Sequence, residues 1–274
     1  MHCCVSKFVD TFGLVWFGFG LVLVWFWFGF GLVLVWFWFG CFCARRRHAV
    51  RRAAVAVTQD FHDDSWPLLR AHLDIAAAFA PLIGANGTYP DLDMLALGRQ
   101  ARSAGPPSPC LFTPAEQTLV MTLWAITRAP LIIGAVLPLD AGDAWTLGLL
   151  THADVLRVNN ETSGNAPVAV VVPPGNSTAG LHAWAARDES GAGGAVVALF
   201  NAGDAPASVG VDVPAAAART GAALPARVPV CAVDVWTGAA VPGSPFESVF
   251  AMELGAHAAG LYRLVVCPAT GSGV

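Results

Sequence analysis

"TPAEQTLVMTLWAITRAPLIIGA", residues 113 to 135, decides how the rest of the chain is read. Thr113 followed three residues later by Glu116 is a capping box, and Pro114 takes the first helical position, where a missing N–H costs nothing. The apolar run behind it predicts a helix that Pro130 ends, then a short buried strand over 131–135. Upstream, "SWPLLRAHLDIAAAFAPLIG" predicts a helix with Ser65 as N-cap and Pro67 in the first turn, and Asp63 and Asp64 suit its positive end. Downstream, "DAWTLGLLTHADVLRVNN" from Asp143 predicts one further helix, capped by Asp140 and Asp143. Trp124 and Trp145 fall at core-like helical positions. Helix, short strand, helix is the order of an α/β layer or barrel.

After Pro173 the pattern changes. "LHAWAAR", "GAVVALFNA", "ASVGVDVP", "VPVCAVDVW" and "AAGLYRLVV" are short apolar or alternating runs divided by Gly, Pro, Asp and Asn. They predict an antiparallel β-sandwich. The fold class expected is therefore α/β followed by all-β.

Residues 12–43 stand apart, without a charge and built almost wholly from Phe, Trp, Gly, Leu and Val. "GLVLVWFWFGF" at 20–30 recurs as "GLVLVWFWFG" at 31–40. The run exceeds the roughly 20 apolar residues of a membrane helix. The basic flank "ARRRHAVRR" would hold the following side in the cytoplasm. The near-exact repeat reads equally as low-complexity sequence, so a membrane anchor through 12–43 and an apolar filler both stay open. Asn86, Asn160 and Asn176 begin glycosylation sequons, which fit a secretory route and oppose that cytoplasmic orientation.

A net charge of −4 leaves no electrostatic footprint for nucleic acid. The seven cysteines have no paired metal-ligand spacing, and the histidines share none either. No phosphate-loop or dinucleotide signature is present, so no metal and no cofactor are expected.

"TYPDLDMLALG", residues 88 to 98, places Asp91 and Asp93 two apart among apolar neighbours. By itself it reads as a solvated acidic turn or as a loop that holds carboxylates for chemistry. The surroundings bring the second meaning forward. "DSW" at 64–66, "YPDLDMLALG", "EQTLVMTLWAITRAPLIIGA", "LLTHADVLRVNN", "ALFN", "DVWTG" and "AHAAGLYRL" keep the order of the C-terminal part of an α-galactosidase of glycoside hydrolase family 27. The chain resembles that family over about residues 57–267.

The resemblance implies three regions. Residues 1–56 are the apolar repeat with its basic flank, 57–165 the C-terminal part of a (β/α)8 barrel, and 166–274 an antiparallel β-sandwich. It implies a loop at the C-terminal face of the barrel, where such enzymes build their sites. Asp93 would accept hydrogen bonds from galactose hydroxyls, Met94 would pack against the sugar, and Asp91 would anchor the loop at the sugar-binding site. Tyr89 stands where the family has tryptophan or another aromatic.

The family hydrolyses terminal α-galactosyl residues with retention, through a nucleophile and a general acid/base about 5 Å apart. Asp60 in "QDFHDDSW" is the acid/base candidate, six residues before Trp66 where the family has five. The sugar-binding arginine of the family is replaced by Ala56, with Arg51 and Arg52 out of register. No segment resembles the family's Lys-Tyr-Asp-x-Cys nucleophile strand. Two functions follow as expectations: an α-galactosidase acting on an oligosaccharide or glycoconjugate, or a non-catalytic, membrane-tethered remnant with weak sugar binding. The resemblance places the chain in the secretory pathway, secreted or in a lysosome- or vacuole-like compartment.

Overall fold

A computed structural model of the chain describes residues 23–27, 32–36, 53–58, 64–101, 106–139, 143–190, 194–224 and 229–267. The chain divides into two units, Met1–Ala49 and Val50–Val274. In the first, β1 (Leu23–Trp27) pairs antiparallel with β2 (Leu32–Trp36), Leu23 opposite Trp36 and Trp27 opposite Leu32. The described part of the apolar repeat is thus extended and not helical, as suits β-branched and aromatic residues. Among the described residues no helix is long and apolar enough to cross a membrane. The rest of 12–43 lies outside them.

The second unit opens with a β–α–β turn of chain. β3 (Ala53–Ala56) leads through α1 (Trp66–Ala78) to β4 (Thr88–Asp91), which runs parallel to β3 with Ala56 opposite Asp91. Ser65 holds the N-cap position without a side-chain bond. Asp64, expected to suit the positive end of this helix, stands just before its N-cap and serves another bond. It is buried, and its carboxylate accepts the N–H of Leu111. Asp63 lies outside the described residues. Between β4 and the next helix, β5 (Arg99–Gln100) and β6 (Ser108–Pro109) form a small antiparallel pair.

α2 (Pro114–Ile126) carries the expected capping box: Glu116 N–H donates to Thr113 Oγ1 at 3.3 Å and Thr113 N–H to Glu116 Oε2 at 2.7 Å. From Leu119 to Ile126 every residue is buried. A helix apolar all round needs a layer on each side. α2 has them, with Leu92, Leu95 and Leu97 in its apolar cluster on one hand and Trp184, Ala198 and Phe200 on the other.

The expected buried strand after Pro130 is a correction. Leu95 and Ile133 make an isolated parallel bridge and Gln100 and Ala135 an antiparallel one, and Ile132 and Ile133 are 47% and 44% exposed. The segment is bonded to Leu95 by main-chain hydrogen bonds of 2.7 and 3.0 Å, but no described layer covers these two side chains.

The single helix expected from Asp143 is two, α3 (Ala144–Leu150) and α4 (Ala153–Asn160). His152 interrupts it. Its backbone is extended, its Nδ1 accepts the Val155 N–H at 3.4 Å, and its Nε2 donates to the Trp236 carbonyl at 2.9 Å. That bond to Trp236 draws the residue out of helical register. Asp143 caps α3 as expected, at 3.0 Å to Thr146 N–H, and Asp140 lies outside the described residues.

From β7 (Thr162–Val168) onward come β8 (Val170–Val171), β9 (Leu181–Asp188), β10 (Ala195–Asn201), β11 (Ala207–Asp212), α5 (Val213–Thr220), β12 (Val230–Asp234), β13 (Val249–Leu254) and β14 (Ala258–Val266). They make a five-stranded sheet in the order β12-β14-β10-β9-β7 and a three-stranded sheet in the order β13-β11-β8, with every pairing antiparallel. α5 was not expected; Asp212 caps it, accepting from Ala215 N–H at 2.7 Å. Inner side chains of both sheets, among them Val197, Leu199, Val211 and Phe250, share one apolar cluster. The other face of the five-stranded sheet packs on α2, so all seven residues of β10 are buried. Cys231 in β12 is disulfide-bonded to Cys267, just past β14.

Candidate functional site

The end of β4 and the loop after it carry Asp91, Asp93 and Met94, and the loop's backbone is unusual. Asp93 has φ +73°, a left-handed conformation that few residues other than glycine adopt, aspartate being among the more tolerant. Three hydrogen bonds hold it there. Its N–H donates to Asp91 Oδ1 at 2.9 Å, its carbonyl accepts the Trp124 Nε1–H at 3.0 Å, and its Oδ1 accepts the Met94 N–H at 2.7 Å. Trp124 is fully buried on α2, so a rigid helix fixes the loop from below. Met94 lies across Gly134: a Cβ on that glycine would stand 2.9 Å from the methionine sulfur. The same Cβ would come 2.8 Å from the Leu95 carbonyl oxygen, and that backbone contact is what requires glycine at 134.

His72 on α1 stacks on Trp124 at 5.7 Å, and its Nδ1–H donates to the Leu68 carbonyl at 2.7 Å. Burial pushes its pKa below the ordinary 6.5, against the opposing effects of the Leu68 bond and the Asp93 carboxylate. On the flank, the Arg128 guanidinium lies 4.9 Å over the Tyr89 ring. It donates to the carbonyls of Asn159, Asn160 and Thr162, closing the C-terminus of α4. Asp91, Asp93 and Met94 are therefore brought together on one braced loop. Asp60 lies outside the described residues.

Sequence reasoning missed three features. Trp145 is no core residue: it is 49% exposed on α3, and its Nε1–H donates to Gln117 Oε1 at 2.9 Å. It borders a cleft of about 530 Å³ with Gly98, Arg99, Cys110, Gln117 and Asp143, and that cleft does not include Asp93. His257 is not a bland member of a strand motif. It stacks on Trp66 at 3.7 Å between Glu116 Oε1 at 2.8 Å and Asp204 Oδ1 at 2.9 Å. The third is the disulfide. Only the exposed Trp145 had a signal, an indole two residues after the Asp143 cap, in the first turn of the helix. Among the described residues no group of His, Cys, Asp and Glu is placed to hold a metal ion.

No family model matches the chain. It is 32% identical over 128 residues to α-galactosidase D of Emericella nidulans, a stretch covering 47% of this chain and 17% of that protein. Among solved structures it is similar to a glycoside hydrolase family 27 β-L-arabinopyranosidase from Geobacillus stearothermophilus, 31% identical with a TM-score of 0.65, over 81% of this chain and 46% of that one. A variant of that enzyme in complex with arabinose matches at 30% identity and a TM-score of 0.64. α-Galactosidase I of Mortierella vinacea shares the fold, with a TM-score of 0.59 at 16% identity. The chain thus spans less than half the length of each of the first two proteins.

Proposed function

For a chain that is α-galactosidase-like and related to glycoside hydrolase family 27, we propose a role in gripping a galactose-type sugar for hydrolysis of terminal α-galactosyl residues. Asp93 accepts hydrogen bonds from two sugar hydroxyls through charge-assisted contacts, Met94 packs on the ring, and Asp91 keeps the loop in shape. The observation that carries this reading is the left-handed Asp93 pinned by Asp91, Trp124 and its own side chain. Holding a non-glycine residue there costs about 1–3 kcal/mol, and such conformations cluster at ligand clamps. In this reading 57–165 is the end of a (β/α)8 barrel, with β4 and the segment at Ile133 among its strands and β3, just ahead of residue 57, running parallel to β4, and 166–274 is a β-sandwich.

Asp60 is the proposed acid/base, protonating the departing oxygen and then activating water. The 274 residues hold no counterpart of the nucleophile segment. That favours a second reading in which this chain binds sugar without turning it over. Two carboxylates act as a unit, so removing one takes most of the rate.

Calorimetric titration of the full chain with methyl α-galactoside tests the grip. Binding weakened at least tenfold by Asp93→Asn is expected, and equal affinity of the two proteins would falsify the assignment. Hydrolysis of an aryl α-galactoside by the same preparation is expected to stay at background. Turnover that disappears in Asp60→Asn would place a nucleophile within these residues and overturn the second reading. The proposed location is the secretory pathway, supported by the Cys231–Cys267 disulfide and by the exposed sequon residues Asn160 and Asn176.

A further inference from the structure

The half-exposed indole of Trp145 is held as a fixed wall of its cleft. Its only polar atom is bonded to Gln117, and Gln117 is 9% exposed and tied at its other end, Nε2 donating to the Phe112 carbonyl at 2.8 Å. An indole so anchored keeps one orientation while a large part of its apolar surface faces solvent. Opposite charges border it, Arg99, whose Nη2 donates to the Pro107 carbonyl at 3.0 Å, and Asp143, which caps α3 through Oδ1. Gly98 at φ +71° closes the cleft against α3: a Cβ there would come 3.2 Å from Thr146 Cγ2.

We propose that this cleft is a second, non-catalytic saccharide site, taking one pyranose ring on the face of Trp145. The volume, about 530 Å³, falls in the range of small-molecule pockets, about 300–1,000 Å³. A pyranose has an apolar C–H face that suits a flat aromatic wall, and a rim of hydroxyls that both donate and accept. Arg99 supplies donors only and Asp143 acceptors, so both needs of the rim are met. Among the described lining residues their formal charges sum to zero, so no net positive charge there favours an anion such as phosphate. The helix α2 relates this cleft to the Asp93 loop: Gln117 and Trp124 lie seven residues apart, on one face, about 10 Å along the axis. One rigid helix thus orients the wall of the cleft and the carbonyl of Asp93. The inference does not depend on Asp93 binding sugar.

The test uses the full chain with 15N-labelled indoles, titrated with methyl α-galactoside and with methyl β-L-arabinopyranoside. The Trp145 resonance is identified by its loss in Trp145→Phe. A saturable shift of that resonance in the millimolar range is expected, persisting in Asp93→Asn and weakened at least fivefold in Arg99→Gln. Trp145→Phe keeps a ring but not its anchor, and in the Asp93→Asn background is expected to bind by calorimetry with an affinity between those of Asp93→Asn alone and Asp93→Asn with Trp145→Ala. Should Trp145→Ala fail to fold, the Phe and Gln variants carry the comparison. The proposal is overturned if the resonance stays still, if glycerol moves it as strongly, or if Asp93→Asn abolishes the shift. If only Asp93→Asn leaves all binding unchanged, the grip assigned to Asp93 fails and this site stands.

Discussion

Two apolar segments of similar length, β10 and 131–136, live in opposite surroundings. β10 has a hydrogen-bonded strand on each side, a second sheet over one face and α2 over the other, and Phe200 in it is fully buried. Residues 131–136 bond to Leu95 and Arg99 along their length, while Ile132, Ile133 and Val136 face outward. The difference lies mainly in the layers, since both runs are largely Ala, Val, Leu and Ile. A buried strand covered on both faces anchors the unit. The parallel segments hold the loop at Asp93 and contribute less to its stability.

The sharpest way to break this contrast is inside β10. Phe200→Ala is expected to cost about 3–5 kcal/mol, as large-to-small changes in packed cores do. The urea midpoint of the second unit reads it, and a loss under about 1 kcal/mol would show that the doubly covered sheet is not the anchor. Next in size is reduction of Cys231–Cys267. Its members lie 36 residues apart, and opening a loop of that length is expected to remove about 2–4 kcal/mol. Denaturation with and without reductant measures it.

Smaller again is the cap that starts α2. Thr113→Ala is expected to cost about 1 kcal/mol, because Glu116 N–H loses its acceptor. This element was legible in the sequence for the same reason that it is sensitive: its signal is local. Ser65, Thr113 and Asp143 each mark a helix start within a few residues, and the apolar or alternating runs of β9, β10 and β14 announce themselves equally well. β7 was invisible, since "TSGNAPV" has no strand character and is held extended by pairing with β9. The break at His152 depends on Trp236, 84 residues away, and the disulfide on two cysteines that only the fold brings together. Trp145 was misread because periodicity says which face a residue occupies and not whether anything packs there. At the site, the acidic loop could be read from Asp91, Asp93 and Met94. The left-handed backbone of Asp93 and the clearance over Gly134 could not, because both depend on α2 and 131–136 lying beneath.

Acid offers a milder probe of the α1–α2 layer beneath that loop. With the His72 pKa lowered by burial, the folded state resists a proton that the unfolded chain accepts near pH 6.5. Its stability contribution is present above that pH and is lost as pH falls below it. The urea midpoint is expected to drop between pH 7 and 5, and His72→Gln to flatten part of that slope. His182, also lowered by burial, is expected to supply the remainder. A slope unchanged by both substitutions would remove buried histidine as its cause.

The smallest effect is expected where the contrast began. Ile133→Ala removes apolar atoms that are already 44% exposed, so about half the usual transfer term is at stake and little cavity can form. The expected cost is under about 1 kcal/mol, within a few tenths of the same change at Ile132, and far below Phe200→Ala. A loss at Ile133 near that of Phe200 would mean that 131–136 is covered in solution, and the two segments would then differ in what covers them and no longer in whether they are covered. Repeating the Ile133→Ala measurement across a tenfold range of protein concentration separates the cases. A cost that grows with concentration assigns the cover to another copy of the chain, and a constant one to the chain itself.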